Sequence, residues 1–202
     1  MAGSESGRRV SDTILWYATR GAGVVSLVLL TVVVVLGITS AMRWKTPAWP
    51  RFLTAGFHRN LALITLVFLA IHIVTAVVDP FTALGLNAAL IPFSSSYRTF
   101  WLGLGVIALY LLIAIVITSL LRPFLDYASW RLIHWFAYAM WPIALVHGFG
   151  TGTDRSFSWM LGIDGLCVIV VVLAVLWRTS RPSPTSWRAL PASESMNRSV
   201  SR

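Results

Sequence analysis

The chain has 202 residues, of which 57% are hydrophobic and only 11% charged; a soluble globular domain carries roughly 25% charged residues, so a soluble fold is excluded. The formal net charge is +9, but the basic residues sit between apolar segments and in the tails, which points to membrane lipid and not to nucleic acid as the partner. The single cysteine, Cys167, lies inside an apolar run and rules out an internal disulfide or a cysteine-based metal centre.

Five segments reach the ~20 mostly apolar residues that a spanning helix needs. The first covers residues 14–41. Its apolar run is too long for a signal-peptide core and no small-residue cleavage site follows, so it is read as a helix. The others cover residues 55–78, 99–121, 129–149 and 157–177. Helix breakers fill the connections: Pro47 and Pro50, Pro80 and Pro92, Pro123, then Gly148, Gly150 and Gly152. Residues 1–13 and the basic, Ser- and Pro-rich residues 179–202 carry too little apolar surface to pack and are expected to be disordered. The expected fold is all-α, a polytopic membrane bundle of five transmembrane helices over residues 14–178.

Five crossings put the termini on opposite sides. Arg8, Arg9, Arg20, Arg98 and Arg155 fall on one side; Arg43, Lys45, Arg51, Arg59, Arg122, Arg131, Arg178, Arg181, Arg188, Arg198 and Arg202 fall on the other. The richer side is expected to be cytoplasmic, which leaves the N-terminus outside and the C-terminus inside the plasma membrane. Trp16, Trp44, Trp49, Trp101, Trp130, Trp159 and Trp177 lie near the span ends, as interfacial tryptophans do.

All four histidines, His58, His72, His134 and His147, fall on the second and fourth segments. Ionisable side chains at membrane depth are costly and face a bundle interior, and neutral imidazole is an axial ligand for haem iron. His58 and His72 are 14 residues apart, a rise of ~21 Å that returns to within about 40° of the same helix face. His134 and His147 are 13 apart, a rise of ~20 Å. Both segments run in the same direction, so His58 shares a depth with His134 and His72 with His147, and one haem fits between each pair. Thirteen residues leave an ideal helix about 140° short of the same face. The fourth segment must therefore be kinked or rewound, and Pro142 between its histidines is the expected cause.

The combination His58-x13-His72 with His134-x12-His147 resembles the ferric reductase-like transmembrane domain, the membrane core of NADPH oxidases and ferric reductases. The stretch from Trp130 to Tyr138, together with His147-Gly148 and Gly152-Thr153-Asp154, resembles small bacterial members. The resemblance covers about residues 14 to 178. It implies two b-type haems, an inner one on His58 and His134 and an outer one on His72 and His147, with the four histidines as iron ligands. NADPH oxidases carry a further N-terminal helix and a C-terminal flavin and nicotinamide domain. This sequence ends about 25 residues after its last apolar segment and has no GxGxxG. Electrons are therefore expected from a separate flavoprotein or a quinol and pass to an unspecified acceptor, outwards by analogy with the family; the alternative is a quinol-linked haem subunit that feeds an extracytoplasmic partner.

Haem propionates need cations. Arg51, Arg59 and Arg131 are available near the inner site, Arg20 and Arg98 near the outer one, with Arg155 less favourably placed. Arg20 stands beside Gly21 and Gly23, where small residues would let a porphyrin approach the backbone. Asp164, between Gly162 and Gly165, is expected to reach the outer interface, and Asp79 and Asp154 mark the outer ends of the histidine helices. The apolar connection 79–98 is expected to pack over the outer haem face as a short surface helix. Two other classes compete. A proton-coupled transporter would need acidic partners for its histidines, and the segments offer little beyond Asn60 and Asp164. A structural membrane subunit would bind no cofactor.

Overall fold

A computed structural model describes residues 2–42, 50–79, 84–152 and 158–180, leaving aside the side chains of residues 2–12 and of Arg51. Among the described residues seven helices follow one another: α1 (Ala2–Ala41), α2 (Arg51–Val78), α3 (Gly85–Leu90), α4 (Thr99–Leu120), α5 (Tyr127–Trp135), α6 (Ala137–Thr151) and α7 (Ser158–Thr179), with one 3-10 turn at Arg122–Phe124. There is no strand among the described residues. Among the described residues five spans are long and apolar enough to cross a bilayer: Thr13–Ala41, Phe52–Val78, Thr99–Leu120, Tyr127–Thr151 and Ser158–Thr179. The valine-rich centre of α1 would be a mediocre helix in water, because β-branched residues lose side-chain freedom there. In lipid no water pairs with the backbone, and the need to satisfy every N–H and C=O outweighs propensity.

Residues 2–13, expected to be irregular, are the first turns of α1. Extending an existing helix needs no new nucleus, so a polar stretch without proline can follow its apolar continuation. Most of residues 179–202, the expected disordered tail, lie outside the described residues, as do Arg43, Lys45, Trp44, Trp49, Asp154 and Arg155.

α1 is the centre of the bundle. It packs along α2 and also touches α6 and α7, while α4 packs against α6 and, more lightly, α5. The buried core joins Leu30, Val34 and Ile38 of α1 to Ala108 and Ile115 of α4, Met140 and Trp141 of α6, and Cys167, Val171 and Ala174 of α7. Trp141 donates its indole N–H to Thr31 Oγ1 at 3.0 Å in this core, which satisfies a donor that would be costly to leave bare. Large apolar side chains are exposed on every span, from Val28 and Val67 to Ile117, Val146 and Leu173. Lipid solvates such a surface. α2 is held mainly by α1 and does not pack along α5 or α6.

The fourth span is broken, but not where the sequence suggests. Pro142 lies inside α6 without ending it, and the break falls at Phe136. There Phe136 N–H donates to Ile133 O and Ala139 N–H to Phe136 O, both at 3.0 Å. These i to i+3 bonds overwind the chain and let α5 and α6 present separate faces. The break lies between His134 and His147, so the two are not carried by one continuous helix.

The connection between α2 and α4 does contain a short helix, α3, but it packs elsewhere than expected. Tyr110 OH donates to Leu90 O, and the Phe93 ring lies against Gly103. On an ideal helix Tyr110 and Gly103 are roughly 160–180° around α4 from the face centred on Trp101 and Gly105. That latter face is the one that meets His147. Leu90 and Phe93 of this segment therefore lie on the back of α4, away from the face that meets His147.

α5 starts at a side-chain cap: Asp126 accepts from Ser129 N–H at 2.8 Å. The Ser129 hydroxyl and N–H together hold the exposed Asp126 carboxyl below the usual carboxylate range. The sign follows from linkage: a depressed carboxyl contributes stability above its unfolded pKa and loses it as pH falls through the folded value. Asp126→Ala is expected to speed amide hydrogen exchange over residues 127–130 at neutral pH, whereas Asp126→Asn keeps the cap and removes its acid sensitivity. Unchanged exchange in the alanine variant would mean that packing, not the cap, starts α5.

Candidate functional site

The four histidines meet in two pairs at different depths. The rings of His58 on α2 and His134 on α5 have centroids 6.1 Å apart with planes at 64°. The rings of His72 on α2 and His147 on α6 have centroids 6.4 Å apart at 81°. A direct N–H···N bond of about 2.9 Å would bring two imidazole centres to within roughly 5.2 Å. Neither pair is hydrogen-bonded to itself.

Each of three histidines is instead tied to a neighbouring helix. His58 Nδ1 bonds Val33 O at 3.0 Å, His72 Nδ1 bonds Thr19 O at 2.8 Å, and His147 Nδ1 bonds Trp101 O at 2.8 Å. A carbonyl only accepts, so Nδ1 carries the proton in all three and a neutral ring keeps its lone pair at Nε2.

The same three rings share a second feature. Four residues beyond each carbonyl stands a glycine: Gly37 beyond Val33, Gly23 beyond Thr19 and Gly105 beyond Trp101. A Cβ would come within 3.5 Å of His58 at Gly37, 3.0 Å of His72 at Gly23 and 2.5 Å of His147 at Gly105. In a helix the N–H at i+4 bonds the carbonyl at i, so this is where a side chain would block the approach to that carbonyl. Gly–carbonyl seats therefore hold three imidazoles against the backbones of α1 and α4. His134 has no such seat: its Nδ1 is buried without a partner. Among the described residues no group of three or more His, Cys, Asp or Glu side chains converges. Each site is a pair.

Residues 21–145 match the family described as the ferric reductase like transmembrane component. The chain belongs to this family. The match spans more than half of the sequence and includes His58, His72 and His134, stopping just short of His147. No curated protein and no solved structure matches the chain. The family is associated with haem binding and with transmembrane electron transfer in membrane oxidoreductases.

The expected cations are scattered. Arg20 stacks on Trp16, 4.1 Å from the ring centroid. Arg98 donates Nη1–H to Gly150 O, which ties the start of α4 to the end of α6 near His147. Arg131 lies over Tyr127 and Trp135 at 6.0 and 5.7 Å. Arg59 is exposed on α2, and the Arg51 side chain lies outside the described part. Gly21 has nothing within 4 Å of a Cβ, and Gly23 makes room for an imidazole where the sequence suggested a porphyrin. Asp79 is buried at the end of α2, and Asp164 is half-buried on α7.

Sequence reasoning missed the seats at Gly37 and Gly105, and also Arg122 and Trp130. Trp130 stacks on His134 with centroids 5.0 Å apart and planes at 25°, and the Arg122 guanidinium lies 4.5 Å from the Trp130 ring. One signal was present: Gly23 and Gly37 are 14 residues apart, as are His58 and His72. Gly105→Ala is expected to cost about 1–3 kcal/mol by overpacking, although alanine improves helix propensity by ~1 kcal/mol. Gly162→Ala, with nothing within 4 Å, is expected to stabilise. Thermal unfolding in detergent compares the two, and equal midpoints would deny the seat any energetic role.

Proposed function

We propose that the chain holds two b-type haems, one between His58 and His134 and one between His72 and His147. It acts as the haem-binding subunit of a membrane oxidoreductase and carries single electrons between the two membrane faces. The observation that carries this reading is the spacing within the pairs. Two imidazoles that held one metal between them, with nitrogens about 2.0 Å from it, would have centres roughly 6.3 Å apart. The ring separations of 6.1 and 6.4 Å fall on either side of that value.

The donor set supports haem over a bare ion. A structural zinc needs four protein ligands, whereas haem iron takes four nitrogens from its macrocycle and only two from the protein. Bound haem supplies a one-electron carrier, because its iron is stable in two oxidation states. The chain's own residues do the rest. The carbonyls of Val33, Thr19 and Trp101 fix ring orientation and the lone pair at Nε2 for His58, His72 and His147. α2 holds its two histidines ~21 Å apart along the helix, a distance that fits within the ~30 Å hydrocarbon core.

The distribution of Lys and Arg supports a plasma-membrane orientation with the N-terminus outside and the C-terminus cytoplasmic. His58 and His134 then lie toward the cytoplasm. The electron donor is a separate flavoprotein or a quinol, and the acceptor stands at the opposite face.

Purified protein, reconstituted with haem where needed, is expected to contain about two b haems per chain by pyridine haemochrome, and His72→Ala about one. A colourless wild type, or a His72→Ala variant with undiminished haem, would sink the two-haem reading.

A further inference from the structure

The fourth histidine differs from the other three, and α4 shows why. Trp101 and Gly105 form the seat of His147. Thirteen or fourteen residues further along α4, at the depth where His134 would look for its own seat, stand Ala114 and Ile115, followed by Thr118 and Ser119 instead of glycine. Thr118 Oγ1 donates to Ala114 O at 2.7 Å and to Ile115 O at 3.2 Å. The one Thr118 hydroxyl proton is shared between these two carbonyls, nearer to Ala114 O, and no glycine opens the way to either. In place of a carbonyl, His134 has a ring at its back: Trp130 stacked at 5.0 Å, with Arg122 4.5 Å from the Trp130 centroid. The Trp130 Nε1 atom is also buried without an acceptor.

Two effects follow, and they have the same sign. An imidazole that donates Nδ1–H to a carbonyl is a more basic ligand and favours the oxidised, more highly charged metal. The His72–His147 pair has two such ligands, and the His58–His134 pair has one. A guanidinium behind the ligand also disfavours the additional positive charge of the oxidised state. Arg122 is exposed and solvent screens it, so the missing carbonyl is the larger cause.

Resting on the two-haem reading above, we infer that the His58–His134 site is the more oxidising of the two, with Trp130 and Arg122 as positioning residues that help to keep it so. A single electron carried by the chain therefore resides at the His58–His134 end. Transfer from the His72–His147 end runs downhill, and transfer the other way needs a strong donor or a strong acceptor.

The test is a redox titration of the purified holoprotein with dithionite as reductant, followed in the b-haem absorption band, after haem content has been read by pyridine haemochrome. Undiminished haem in His72→Ala and His147→Ala would reject the two-haem reading itself, before any potential is compared. With haem halved, the component left in either variant should titrate with the higher-potential wave of wild type. Arg122→Gln should move that wave to lower potential and leave the other in place, and Arg122→Lys, which keeps the charge, should restore it. The inference is overturned if the remaining component is the lower-potential one, or if wild type shows both haems at one potential. An unmoved wave in Arg122→Gln removes Arg122 from the argument.

Discussion

An imidazole inside a membrane must place its N–H somewhere, and the nearest acceptors are helix carbonyls that already accept from the backbone. Each such carbonyl has a second lone pair, but the side chain one turn on normally obstructs it. Glycine at that position opens the approach. This interaction recurs at Thr19 with Gly23, Val33 with Gly37 and Trp101 with Gly105, and much of the arrangement depends on it. It holds α2 antiparallel to α1 in a single register, because two histidines must meet two glycines at equal spacing. It also brings α6 against α4 at the level of His147.

The remaining packing is economical. One core gathers α1, α4, α6 and α7, while α2 leans on α1. In lipid, apolar contact between helices gains little over contact with acyl chains, so close packing and the few polar contacts select the arrangement. Trp141 to Thr31 and the histidine seats are contacts of that kind. In the proposed reading, haem bridges α2 to α5 and α6, so cofactor binding would complete the bundle as well as equip it.

The break at Phe136 shows how a conflict between ligand spacing and helix phase is resolved. A continuous helix cannot turn both His134 and His147 toward α2. Two short helices joined through tight turns can, at the cost of some backbone regularity. His134, facing Thr118 and Ser119 of α4 in place of a glycine, has no carbonyl seat and stacks on Trp130 one turn back in α5, so the two histidine pairs differ chemically although their ring separations are nearly equal.

The existence and number of the spans were legible in the sequence because lipid imposes a length and a composition on any helix that crosses it. The pairing of His58 with His134 and of His72 with His147 was legible too, since rise per residue converts sequence spacing into depth. Those are one-dimensional properties. The site of the helix break was not legible: Pro142 carries the local signal, but the bend sits where α5 and α6 must face different neighbours. The α3 segment was recognised as apolar, yet only packing put it on the back of α4. The arginines were assigned by proximity along the chain, whereas side-chain direction sent Arg98 to Gly150 O and put Arg122 behind His134 through Trp130. Sequence by itself determined how many helices cross and at what depth the imidazoles lie, because both follow from distance along a helix axis. Tertiary structure alone decided which carbonyl, ring or cation each imidazole meets, because that depends on rotation about the axis and on which helix stands beside it.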